Sequence, residues 1–250
     1  MDPVPPDDDR PWPGAAEDQG TPEALSGAVS GVERREVPAV LGRACIDALD
    51  ITGASVSLAG SGDARALWWS SDERAGQLAE AQYTLGDGPC RTAFEQAAPA
   101  LAADLTGGED ASRWPVFAQQ AVALGVKAVF CLPLGANGLA IGTLDLYRDT
   151  PGPLSQRELS FAFPAAEAIT TALLALHAQA GTHHGWSAEW LDTMETDHEE
   201  VHHATGMVMV HLGSSPEDAL ARLRAHAFGH GQTVTETARD VIAGRIRFHD

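Results

Sequence analysis

Residues 126–148 read VKAVFCLPLGANGLAIGTLDLYR. Two runs of strand formers, Val126–Leu134 and Leu139–Tyr147, flank Ala136-Asn137-Gly138. Asn-Gly between such runs is the strongest short-range hairpin signal, because the tight turn needs two residues that accept positive φ. Upstream, Ala54-Ser55-Val56-Ser57-Leu58 alternates like a half-buried strand, and Arg65-Ala66-Leu67-Trp68-Trp69 reads as its partner. Helical spacing from about residue 37 puts Val40, Leu41, Ala44, Cys45 and Ala48 on one face. Asp72 caps a helix expected through Ala81, and the turn-rich Leu85–Cys90 leads into another near 90–97. Trp114–Leu124 reads as a helix with Pro115 in its first turn, where no N–H is needed. Downstream, Ser155 and Glu158 form a capping box for a long helix through about Gln179. Its expected apolar stripe is Leu159, Phe163, Ala166, Thr170, Leu173, Leu174 and His177, with Pro164 as an interruption. Residues 37–180 therefore predict an α+β domain, an antiparallel sheet with helices.

The last 54 residues carry no strand signal and three helical ones. The first runs about 197–212, ends at Gly213, and presents Val201, Ala204, Val208 and Leu212. The second starts at Ser215-Pro216 and presents Ala219, Leu220, Leu223 and Ala227. The third opens on a capping box, Thr233 to Glu236, and presents Val234, Ala238, Val241, Ile242 and Ile246. Three short amphipathic helices on tight turns predict an all-α bundle over 188–250. Residues 181–187 read as a linker. Residues 1–22, with six prolines and three consecutive aspartates, read as a disordered acidic tail.

Composition narrows the function. The 250-residue chain has 16 basic and 35 acidic residues, net −19, which excludes a histone-like basic coat and disfavours docking on anionic lipid. Three cysteines without a CxxC indicate neither a disulfide framework nor a zinc ribbon. No run of consecutive apolar residues reaches the length of a membrane span, and the acidic, Pro-rich start lacks the basic end and apolar run of a secretory signal. The expected location is cytoplasmic.

Residues 201–248, VHHATGMVMVHLGSSPEDALARLRAHAFGHGQTVTETARDVIAGRIRF, resemble an ANTAR domain. The stretches YTLGDGPC, RWPVFAQQAVALGVKAVFCLPL and IGTLDLYRDTPGPLS resemble the GAF domain that precedes ANTAR in many actinobacterial regulators. The resemblance implies a GAF-like sensor followed by a three-helix ANTAR-like bundle. It implies a signal-responsive antitermination regulator, a homodimer that binds hairpins of nascent RNA, with an unidentified small molecule at the GAF domain. The residues offered for RNA phosphates are Arg222, Arg224, Arg239, Arg245 and Arg247, with His203. Many ANTAR domains carry Ala-Lys-Gly in the first helix, where this chain has Ala204-Thr205-Gly206. The long helix from Ser155 is expected to link the two parts and to pair with a second copy.

Other classes stay open. His198-Glu199-Glu200-Val201-His202 is a formal HExxH, but the longer metzincin spacing fails, and neither a catalytic residue nor a metal or cofactor is expected. Residues 1–176 contain no histidine, so the sensor has no histidine ligand for haem. Cys90 follows a Gly-rich turn at a helix start, where the dipole favours a thiolate, so a cysteine redox sensor or enzyme is one alternative. A dimeric protein-interaction module without RNA binding is the other. Cys90, Trp114, Phe117 and Cys131 are the residues expected to wall a sensor pocket.

Overall fold

The computed structural model describes residues 29–59, 65–179 and 198–249. The tail expected over 1–22 and the linker expected over 181–187 lie outside the described residues. After a short 3-10 turn, Arg34–Glu36, the elements are α1 (Val37–Ala48), β1 (Gly53–Ala59), β2 (Arg65–Ser70), α2 (Glu73–Leu85), α3 (Pro89–Gln96), β3 (Ala100–Ala102), α4 (Gly108–Arg113), α5 (Pro115–Ala123), β4 (Ala128–Ala136), β5 (Leu139–Arg148) and α6 (Gln156–Gln179). Helices α7 (Glu199–Leu212), α8 (Pro216–Gly229) and α9 (Val234–Ile242) follow.

The five strands form one antiparallel sheet in the order β2-β1-β5-β4-β3. Its β4–β5 hairpin turns at Asn137 and Gly138, both at positive φ (55° and 77°), as the Asn-Gly pair predicts. One face of the sheet packs Ala54, Val56, Leu58, Phe130, Leu132, Leu144 and Leu146 against α1 and α6. The other packs Val129, Cys131 and Tyr147 against α2, α3 and α5. Strand β1 is therefore buried on both faces, not half-buried as its alternation suggests; Ser55 and Ser57 are 4% and 5% exposed. The period of two sorts residues between two covered faces.

Two apolar stripes differ from expectation. On α1 the buried residues are Val37, Pro38, Leu41, Gly42 and Cys45, and Ala48 is exposed. Gly42 lies under the Trp69 ring, where any Cβ would collide with it. On α6 the buried stripe is Phe161, Ala162, Ala165, Ala166, Ile169, Thr170 and Leu173, whereas Phe163 and Leu174 are exposed. Ser160, Glu167 and Thr171 mark the exposed side, and Phe163 and Leu174 are apolar residues that share it, so apolarity alone does not define the buried stripe. The same apolarity makes Gln156–Leu176 long and apolar enough to cross a membrane by composition; here its stripe covers the sheet. The expected capping box at its start forms, Ser155 N–H donating to Glu158 Oε2 at 2.6 Å and Glu158 N–H to Ser155 Oγ at 3.3 Å.

Helix α2 extends one turn beyond the expected end at Ala81, to Leu85, and stops at Gly86 in the left-handed conformation (φ 63°). Asp72 caps its start, accepting from Ala75 N–H at 3.0 Å and from the Tyr147 hydroxyl at 2.9 Å. Burial raises the Asp72 carboxyl, but hydrogen bonds from Ser71, Ala75 and Tyr147 outweigh it and hold the group below its ordinary value. Burial and then Asp72 push the Tyr147 phenol up to about 12. Loss of an N-cap costs about 1 kcal/mol, so Asp72→Ala lowers unfolding free energy by about 1–2 kcal/mol in a urea titration. A carboxyl depressed in the fold stabilises above its unfolded value, near pH ~4, and that contribution fades as pH falls through the folded value. Asp72→Asn therefore loses less stability than the native chain on acidification from neutral pH to below that value.

Candidate functional site

The C-terminal bundle buries Val201, Ala204 and Val208 of α7, Ala219, Leu220, Leu223 and Ala227 of α8, and Val234, Ala238 and Val241 of α9. Ser215 caps α8 by accepting from Asp218 N–H, and Thr233 with Glu236 forms the expected capping box on α9. Gly213 ends α7 at positive φ.

The five arginines do not share one face. Arg222 and Arg247 are exposed, as is His203 on α7. Arg239 donates from Nε to Glu200 on α7 at 2.6 Å, an exposed pair. Arg245 donates to Asp240 at 2.7 Å, and that bond holds the Asp240 carboxyl below its ordinary value. Exposed pairs of this kind contribute about 0–1 kcal/mol, so a phosphate can displace either acid. Arg224 is two residues from Arg222, and at about 100° per residue it points to nearly the opposite side of α8. His226, one turn from Arg222, stacks on His230 with ring centroids 4.0 Å apart; burial and that neighbour lower its pKa, so it adds no charge at neutral pH.

Arg224 is taken up by the sensor. Its Nε donates to the Tyr83 carbonyl at 3.0 Å, and the guanidinium lies over the Tyr83 ring, 5.3 Å from the centroid. Tyr83 is in the last turn of α2, so Arg224 brings positive charge to the negative end of that helix. The adjacent residue completes a second helix end. Thr84 Oγ1 accepts from Val234 N–H at 3.0 Å, and Val234 is the first residue of α9, whose N–H has no partner within its own helix. A third contact joins His198, at the start of α7, to Glu80 of α2 through Nε2 at 2.8 Å, with the imidazole tilted 33° against the Tyr83 ring, centroids 3.7 Å apart. The Tyr83 ring itself is 3% exposed and packs in the bundle's core. Glu80, Tyr83 and Thr84 were not foreseen from sequence. The signal was Gly86, whose left-handed cap carries α2 past Ala81 and brings Tyr83 and Thr84 into its last turn.

A cavity of about 980 Å³ opens beside this contact, lined by Ser57, Gln82 and Cys90 of the sensor and by Thr235 and Arg239 of the bundle. Among the described residues, Gln82 Nε2, Glu80 Oε1 and Thr235 Oγ1 border it without a hydrogen-bond partner. Of the four residues expected to wall a pocket, Cys90 lines this cavity. Trp114, Phe117 and Cys131 do not; they pack with Ala75, Leu78 and Tyr147 in the core between the sheet and α2–α5. Cys90 N–H donates to Gln82 Oε1 at 2.7 Å, and its Sγ lies 3.1 Å from Thr143 Oγ1. Asp145, 3% exposed and opposite both Ser55 and Cys131 in the sheet register, makes that face partly polar, which the strand-former pattern did not announce. In the HExxH stretch His198 is buried against Glu80 while His202 is exposed. Among the described residues no group of three or more His, Cys, Asp or Glu is placed to hold a metal.

Residues 35–174, more than half of the chain, match the GAF domain family. The chain belongs to the GAF domain family. Residues 192–242 match the ANTAR domain, so the bundle packed on the GAF sensor is the ANTAR-matching part. Among solved structures, the GAF domain of a phosphoenolpyruvate-protein phosphotransferase from Coxiella burnetii is similar with TM-score 0.51 and 14% identity, covering 64% of this chain and 94% of that one. A domain of a putative two-component sensor histidine kinase from Sinorhizobium meliloti gives 0.48 and 21%, covering 60% and 96%. A free methionine-R-sulfoxide reductase from Neisseria meningitidis gives 0.46 and 14%, covering 64% and 89%. These are likenesses of fold. No curated protein matches the chain.

The GAF sensor's thiols make a direct check. Cys45 and Cys131 are fully buried, and burial pushes the Cys45 thiol up to about 12. In a titration with Ellman's reagent both should react only after denaturation, and Cys90, 4% exposed at the cavity, should react before them but more slowly than a free thiol. Two or more fast thiols would contradict the packing.

Proposed function

We propose that this protein is a signal-responsive RNA-binding regulator, in which the GAF sensor governs binding of nascent RNA hairpins by the ANTAR-matching bundle and so acts in transcription antitermination. The observation that carries this reading is the set of exposed or displaceable arginines, Arg222, Arg239, Arg245 and Arg247, on the ANTAR-matching bundle. The signal is a small molecule in the cavity between sensor and bundle, where unpartnered buried polar atoms favour a ligand with both donor and acceptor groups. The working form is a homodimer, supported by Phe163 and Leu174 left exposed on α6. It acts in the cytoplasm, where transcripts emerge.

RNA affinity should fall steeply with salt, since each phosphate contact releases counterions. With a two-hairpin RNA from the upstream region of its own operon, Arg222→Ala/Arg245→Ala is expected to weaken binding and to reduce the slope of log K against log salt by about 1.5–2. A salt-independent affinity, or none across the series, would falsify the RNA reading and favour a protein-interaction module.

A further inference from the structure

Two of the three contacts between α2 and the bundle satisfy backbone groups at helix ends, and the third is a side-chain pair. Arg224 meets the carbonyl end of α2, Thr84 supplies the acceptor that the first N–H of α9 needs, and Glu80 engages His198 at the start of α7. Tyr83 joins them, its ring in contact with both the Arg224 guanidinium and the His198 imidazole. The neighbouring Gly86 leaves room for this, because a Cβ there would press on the Arg224 guanidinium at 3.0 Å. The side of α8 that carries Arg224 thus faces protein. Beyond Arg224, a cleft of about 650 Å³ separates Glu217, Ala221 and Phe228 of α8 from Gly86, Glu95 and Val116 of the sensor. A nucleic-acid duplex is too wide to enter such a cleft, in which Glu95 is paired with Arg91 and Glu217 lies on the same wall as Arg224.

We infer that the C-terminal end of α2 is a docking surface for the chain's own bundle and that it competes with RNA for Arg224, so that the docked arrangement binds RNA more weakly than the released one. Arg224 is the contested group: it cannot cap α2 and contact a phosphate at once. Docking scales apparent RNA affinity down to its released-state value multiplied by the fraction of time the bundle spends released, and whatever frees α8 from Tyr83 raises it. This inference rests on the RNA-binding reading above, and its test separates the two.

The test uses the full chain with two sensor-side substitutions. Tyr83→Ala removes the ring from the bundle's core while leaving the sensor's two cores, to which Tyr83 does not belong, intact. Thr84→Val keeps the shape and removes the acceptor for Val234. RNA affinity for the two-hairpin RNA is measured at one salt concentration, and the radius of gyration by small-angle scattering reports release without RNA. The expected result is an increased radius and about tenfold tighter RNA binding in Tyr83→Ala, a smaller gain in Thr84→Val, and loss of the gain when Arg224→Ala is added to Tyr83→Ala. Release with a measurable but unchanged RNA affinity overturns the competition and leaves the RNA reading standing. Release with no RNA binding by any variant or by the native chain overturns the RNA reading, and this inference with it. An unchanged radius overturns the assignment of docking to Tyr83 and Thr84.

Discussion

Helix α2 belongs to two cores. Ala75 and Leu78 in its first half pack under the sheet of the sensor, and Tyr83 in its last turn packs among Val201, Ala204 and Leu223 of the bundle. One rigid helix therefore sets where the bundle sits, and its start is fixed in turn by Asp72, which ties it to Tyr147 in the central strand β5. Thirteen residues of continuous helix thus connect the sheet face to the bundle, independently of the segment that joins α6 to α7.

The electrostatics of a net −19 chain fit this arrangement. A bundle with five arginines against eight acids in its last 54 residues has little field of its own to draw RNA from a distance. On the proposed RNA-binding reading, affinity comes from local contacts, so withholding one arginine is a large change. Arg224 is hidden by partners strong enough to matter and weak enough to reverse: a helix-end interaction of about 0.3–1 kcal/mol and a cation–π contact of about 0.5–2 kcal/mol.

Much of the fold was legible because it is written in local rules. Asn137-Gly138, Ser155 with Glu158, Thr233 with Glu236 and the glycine at 213 each specify a turn or a cap by side-chain chemistry that acts over four residues or fewer. Strand β3, only Ala100–Ala102, and the single-turn-and-a-half α4 are too short for any period to show. On α6 the expected stripe took in Phe163 and Leu174, apolar residues that share the exposed side with Ser160, Glu167 and Thr171. The bundle's arginines were readable as residues but not as a surface, since Glu200 and Asp240, which pair with two of them, come from other turns and helices. Least legible was the contact with α2. It uses a backbone carbonyl at Tyr83 and a backbone N–H at Val234, groups every residue has, and only the folded arrangement shows which of them meet.

That backbone N–H offers the most direct measurement. Val234 opens α9, so its amide has no partner in its own helix, and the bond to Thr84 Oγ1 is what shields it. Native-state hydrogen exchange at this amide, followed with and without a two-hairpin RNA, reads the docked contact itself. The account predicts an amide protected in the free chain that becomes fast-exchanging as RNA saturates the bundle, while Val241 in the same helix stays protected. A Val234 amide equally protected in the RNA complex would contradict it, because the bundle would then bind RNA without leaving the sensor.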